Sequence, residues 1–78
     1  MSYEEFMTSL VLLGFTLDGE PIYTNDIYYA HKNVRVFIST RYHYIRTRDR
    51  YLNRKTFSKP EYALKYITEL LETNKQRK

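Results

Sequence analysis

Tyr3, Phe6, Met7, Leu10 and Val11 recur at spacings of three and four, with Glu4, Glu5, Thr8 and Ser9 falling between them. That period predicts an amphipathic helix over about residues 3–13. Its start carries the capping-box pattern Ser2-Tyr3-Glu4-Glu5, in which a hydroxyl and a carboxylate satisfy the first free amides, and Gly14 supplies a stop. A second stripe, Ala63, Tyr66, Ile67, Leu70 and Leu71, predicts a helix over about residues 59–73, with residues 74–78 as a frayed polar tail. Ser58-Lys59-Pro60-Glu61 repeats the capping box, Pro60 suits a first helical turn, and Phe57 with Tyr62 has the spacing of a hydrophobic staple.

Between the helices the period falls to two. Val34, Val36 and Ile38 alternate with Arg35, Phe37 and Ser39, which predicts a strand over residues 34–39. Tyr42, Tyr44, Arg46 and Arg48 alternate with His43, Ile45 and Thr47 in a strand over about residues 42–48. Upstream, Ile22 to Ala30 is rich in β-branched and aromatic residues and predicts a strand over about residues 22–30, with Asn25 and Asp26 marking a bulge or break. Asp18-Gly19-Glu20-Pro21 has turn composition, and His31-Lys32-Asn33 forms a short hairpin connection that places His31 in a turn and His43 on a strand. The predicted order is α-β-β-β-α: a single α+β domain over residues 1–78, with a three-stranded antiparallel sheet and two helices packed on one face.

Length and composition narrow this picture. A chain of 78 residues buries only about 60% of its unfolded surface, enough for one core. The longest apolar run, Leu10 to Leu13, is far below the roughly 20 residues of a membrane span, so no membrane partner is expected. Met1 is followed by acids where a signal peptide carries positive charge, and cysteine is absent, so the expected location is the cytoplasm.

Charge is distributed unevenly along the chain. Residues 1–30 hold five acids and no Lys or Arg, a balance of −5, whereas residues 31–59 hold nine cations against Asp49 alone, a balance of +8. If Val34, Val36, Ile38 and Ile45 face the helices, alternation sends Arg35, Phe37, Tyr42, Tyr44, Arg46 and Arg48 to the opposite, open face. Arg41, Arg50, Arg54 and Lys55 extend the basic stretch on either side. Guanidinium groups grip phosphates as a bidentate fork, and rings or guanidinium planes stack on bases, so these ten residues are the candidate nucleic-acid-binding set. A second mode treats Arg48 to Lys55 as a loop that holds a duplex backbone by shape. A plain solvated sheet surface explains each residue singly, but not one acid among ten charges.

Catalytic chemistry finds little support. His31 and His43 have no partner at metal-ligand spacing, the two glycines form no phosphate-cradling loop, and no serine sits in a nucleophile context. The expectation is a non-enzymatic module without metal or cofactor that binds DNA or RNA. The alternative is an inhibitor that docks on a host protein or a protein–nucleic-acid machine, with the acids of the first 30 residues or the tyrosines and arginines as anchors.

Three resemblances accompany this reading. In size and simplicity the chain resembles the compact inhibitors and regulators encoded by bacteriophages, anti-CRISPR proteins among them, a likeness of format with no motif behind it. The α-β-β-β-α order is similar to double-stranded-RNA-binding domains, whose last helix opens with clustered lysines. Lys55 and Lys59 lie near that place, and Thr56, Phe57 and Pro60 depart from the pattern. Three strands followed by "TFSKPEYALKYI" also resemble the compact DNA-binding domains of the AP2 and integrase-arm type, whose sheet enters a groove.

Overall fold

A computed structural model describes residues 1–18, 26–49, 51 and 53–76. The first helix, α1 (Tyr3–Leu12), begins as its capping box predicts: Ser2 Oγ accepts from the Glu5 amide, and Glu5 Oε1 accepts from the Ser2 amide, each at 3.1 Å. Its end is a Schellman motif. The Gly14 amide donates to the Val11 carbonyl at 3.0 Å and the Phe15 amide to the Leu10 carbonyl at 2.9 Å, with Gly14 at φ +106°. Leu10 and Phe15, both buried, supply the apolar contact that accompanies this motif.

Five strands follow: β1 (Thr16–Leu17), β2 (Asp26–His31), β3 (Val34–Ser39), β4 (Tyr44–Arg48) and β5 (Arg54–Phe57). They form one antiparallel meander in the order β1-β2-β3-β4-β5. The sheet therefore has five strands, not the three that alternation predicts. β1 is two residues long, too short for a period, and three of the four β5 residues are exposed, so neither carries an apolar signal. The three-strand order behind the resemblances to double-stranded-RNA-binding and AP2-type domains gives way to this meander. Arg54 and Lys55 lie on a strand and not in a loop.

Each connection has its own chemistry. His31 ends β2 and pairs with Val34, so the β2–β3 turn is Lys32-Asn33, with Lys32 at φ +54°. Thr40 to His43 form the β3–β4 turn: Ser39 Oγ accepts from the Tyr42 amide at 3.2 Å, and His43 adopts φ +57°. Tyr42 and His43 thus precede the strand that their alternation predicts, which starts at Tyr44. Asp49 organises the β4–β5 connection, accepting from the Tyr51 and Asn53 amides at 2.8 and 3.0 Å and from Asn53 Nδ2 at 3.1 Å.

The last helix, α2 (Pro60–Gln76), opens with Pro60 and runs past its predicted end. Its first hydrogen bond reaches from the Ala63 amide to the Lys59 carbonyl, which places the helix boundary at Lys59, one residue after the predicted Ser58 cap. Phe57 meets Tyr66 at 5.5 Å between ring centres, a turn further along than the staple partner Tyr62, which is exposed. Phe6 and Leu10 of α1, Ala63 and Ile67 of α2, and Val34, Val36, Ile38 and Ile45 of the sheet form one buried cluster. The four sheet residues expected to face the helices are all in that core. Residues 22–25, predicted as strand, and Gly19 to Pro21 of the predicted turn lie outside the described residues.

Candidate nucleic-acid interface

Strand register decides which residues share the open face. Arg35 of β3 is the Cα partner of Arg48 of β4, and Arg48 is the partner of Arg54 of β5. Three arginines therefore stand abreast on neighbouring strands, about 4.8 Å apart from one strand to the next. Two residues along, Tyr28 of β2 partners Phe37 of β3, and Phe37 partners Arg46 of β4. Rings and cations form two adjacent rows.

The aromatic side chains hold one another. Tyr28 and Phe37 meet at 4.9 Å and Phe37 and Tyr44 at 5.7 Å between ring centres, both tilted. The Arg46 guanidinium lies 5.6 Å from the Tyr44 ring centre and 6.0 Å from that of Phe37. Phe37 is half-buried among these neighbours, whereas Tyr28 is 50% exposed. A shallow groove of about 340 Å³ runs over this surface, lined by Tyr28, Phe37 and the four arginines 35, 46, 48 and 54, with Thr47 and Asp18.

Among the described residues, Asp18 is the acid that lines the groove. Its amide donates to the Tyr28 carbonyl at 2.8 Å, which fixes the segment after β1 beside β2. Its carboxylate stands 3.9 Å from Arg35 Nε, with both side chains well exposed, a weak ion pair by distance and by screening. Arg35 also donates from Nη1 to the Lys32 and Val34 carbonyls at 3.0 and 3.3 Å, so its head is anchored from below.

The predicted site residues separate into groups. Arg35, Phe37, Tyr44, Arg46, Arg48 and Arg54 come together on the open face. Arg41 and Tyr42 lie in the exposed β3–β4 turn, with the guanidinium 5.5 Å from the Tyr42 ring centre. Lys55 is the partner of Thr47, a core-side position, and its ammonium lies 4.8 Å from the Tyr66 ring centre on α2. It stands on the helix side, away from the arginine row. Arg50 lies outside the described residues.

Sequence reasoning missed Tyr28 and Asp18. Tyr28 sits in the unbroken run Ile27-Tyr28-Tyr29-Ala30, where alternation gives no face. Asp18 reaches the groove only because β1 pairs with β2, and two residues of strand leave no pattern to read.

Asp49, the acid within the basic stretch, has a structural task. Burial alone would lift its carboxyl, but hydrogen bonds from Asn53 and from the Tyr51 amide outweigh that and hold it below the ordinary carboxylate range. Burial pushes the Tyr66 hydroxyl up, and the nearby Asp49 charge adds to the effect. Among the described residues no group of three His, Cys, Asp or Glu side chains is placed to hold a metal ion, and no helix is long and apolar enough to cross a membrane.

Compared with protein-family models, with curated proteins and with solved structures, the chain shows no significant match to any.

Proposed function

We propose that the protein is a small, non-enzymatic, cytoplasmic regulatory or accessory module that binds nucleic acid through the open face of its sheet. The observation that carries this reading is the cross-strand row Arg35–Arg48–Arg54. Like charges at directly opposed strand positions destabilise a sheet, and alternating the sign would remove the penalty. Here the sequence places three cations in line, with Asp18 as the acid in the groove. A local rule broken without a folding benefit is expected where a surface meets a ligand, and the ligand that relieves this row is a polyanion. Arginine suits the task because its planar fork matches phosphate oxygens and its charge persists at any physiological pH.

The neighbouring rings of Tyr28, Phe37 and Tyr44 favour nucleic acid over an acidic protein, since every base offers a face to a ring or a guanidinium plane. The test is charge reversal at Arg46 and Arg48 together, which touches no core residue. The double variant is expected to keep its circular dichroism spectrum and to lose binding to DNA and RNA in a gel-shift assay. A folded double variant that binds like the parent removes the site assignment.

A second reading has its own observation. Val11 and Leu12 at the end of α1 and Leu17 of β1 are 57%, 83% and 61% exposed, large apolar side chains outside the arginine row. Their exposure supports the alternative of a phage-type inhibitor docking on a host protein. A nuclease-resistant, salt-tolerant complex that is lost on Leu12→Ser would favour it.

A further inference from the structure

We infer that the nucleic acid this face takes is single-stranded, with its phosphates along Arg48 and Arg54 and a base stacked on Tyr28. The inference rests on the nucleic-acid reading above and names the substrate class of that site.

The two rows interleave cations with rings on one face. The outer arginines of the row stand two strand spacings apart, about 10 Å, and the row of rings begins two residues along the strands, about 7 Å away. A ligand large enough to cross the face therefore meets cations and rings together. A duplex offers phosphates and sugars outward and keeps its bases stacked inside, so the rings would be buried against a polar backbone and gain nothing. An unpaired strand offers both parts at once, charge for the arginines and base faces for the rings.

Exposure assigns the parts. Tyr28 is half exposed at the rim of the ring row and is steadied at 4.9 Å by Phe37, which leaves it ordered and open to a base. Arg46 already lies over Phe37 and Tyr44, so its guanidinium plane extends the stacking platform. Arg35 is held by Asp18 and by two carbonyls, whereas Arg48 and Arg54 extend the row toward β5.

The experiment measures fluorescence anisotropy of four labelled oligonucleotides of about 12 nucleotides, within the site size of small single-strand binders. They are single-stranded DNA, single-stranded RNA, a blunt duplex of the same sequence, and an abasic strand of equal charge. The expected result is binding to a single strand about tenfold tighter than to the duplex and to the abasic strand. Tyr28→Ala is expected to lose about tenfold on the single strand and little on the abasic one, and Tyr28→Phe to retain the parent's affinity. Equal or tighter binding of the duplex, or equal binding of the abasic strand, overturns the inference and leaves the nucleic-acid reading standing. Binding to none of the four at low salt overturns both.

Discussion

Arg35 and Arg48 face each other as direct cross-strand partners on β3 and β4, two guanidinium groups where a sheet built only for stability would pair opposite charges. The pairing continues to Arg54, so Arg48 has a like charge on each side. This relationship joins the energetics of the sheet to its proposed use.

Relieving the middle of the row should stabilise the fold while weakening binding. Arg48→Thr keeps a good strand former and removes both repulsions, with an expected gain of roughly 0.2 to 1 kcal/mol. Urea denaturation at low and high salt checks this. The gain should shrink as salt screens the parent's repulsion, and a loss of stability at both salt levels would contradict it.

Asp18 competes with phosphate for Arg35, and its exposed pair at 3.9 Å is weak enough to yield. Asp18→Asn removes that competitor and its repulsion of the ligand. Affinity for nucleic acid should rise a few-fold at low salt, and titration in parallel with the parent measures it.

Gly14 is fixed by two observations. Its φ of +106° lies in a region that side chains avoid, and a Cβ there would stand 2.9 Å from the His31 ring. The ring is itself held against Phe15 at 5.3 Å between centres. Gly14→Ala is therefore expected to destabilise the fold by more than about 1 kcal/mol, read from the midpoint of chemical denaturation.

The Asp49 carboxyl sets a pH dependence with a defined sign. Its folded-state pKa is lowered, since hydrogen bonds from Asn53 and Tyr51 overcome the opposing effect of burial. The stability it contributes is present in full above the ordinary carboxylate range and is lost as pH falls through the lowered value. Asp49→Ala should lower the melting temperature near neutrality, and the gap from the parent should close in acid. A gap that persists at low pH would show that the turn does not depend on the carboxylate.

Much of the fold is legible in the sequence where a residue's period or chemistry is local. The α1 capping box, the Gly14 stop and the span of β3 all follow from neighbours within a few positions. β5 escapes because an edge strand of Arg54, Lys55, Thr56 and Phe57 buries almost nothing on which a pattern could form. The start of β4 shifts because the Tyr42 amide donates to Ser39 Oγ and the left-handed backbone of His43 helps convert two alternating residues into turn. The same limit applies to the candidate site. Alternation within β3 and β4 separates Arg35, Phe37, Arg46 and Arg48 from the core residues, but the alignment of Arg35 with Arg48 and Arg54 is a fact of register between strands. Lys55 leaves the face for the same reason, since only the pairing with Thr47 reveals its side.

The salt dependence of single-strand binding, measured for the parent and for a variant with Arg35, Arg48 and Arg54 all replaced by Ser, decides whether the arginine row holds the backbone. Each neutralised phosphate contributes about 0.7 to the slope of log affinity against log salt on a single strand. The expected result is a linear fall for the parent and a slope reduced by about 1.4 in the folded triple variant for the two phosphates on Arg48 and Arg54, rising to about 2 where Asp18 yields Arg35 to a third. An unchanged slope in that variant would contradict it, because the arginine row would then take no part in holding the backbone.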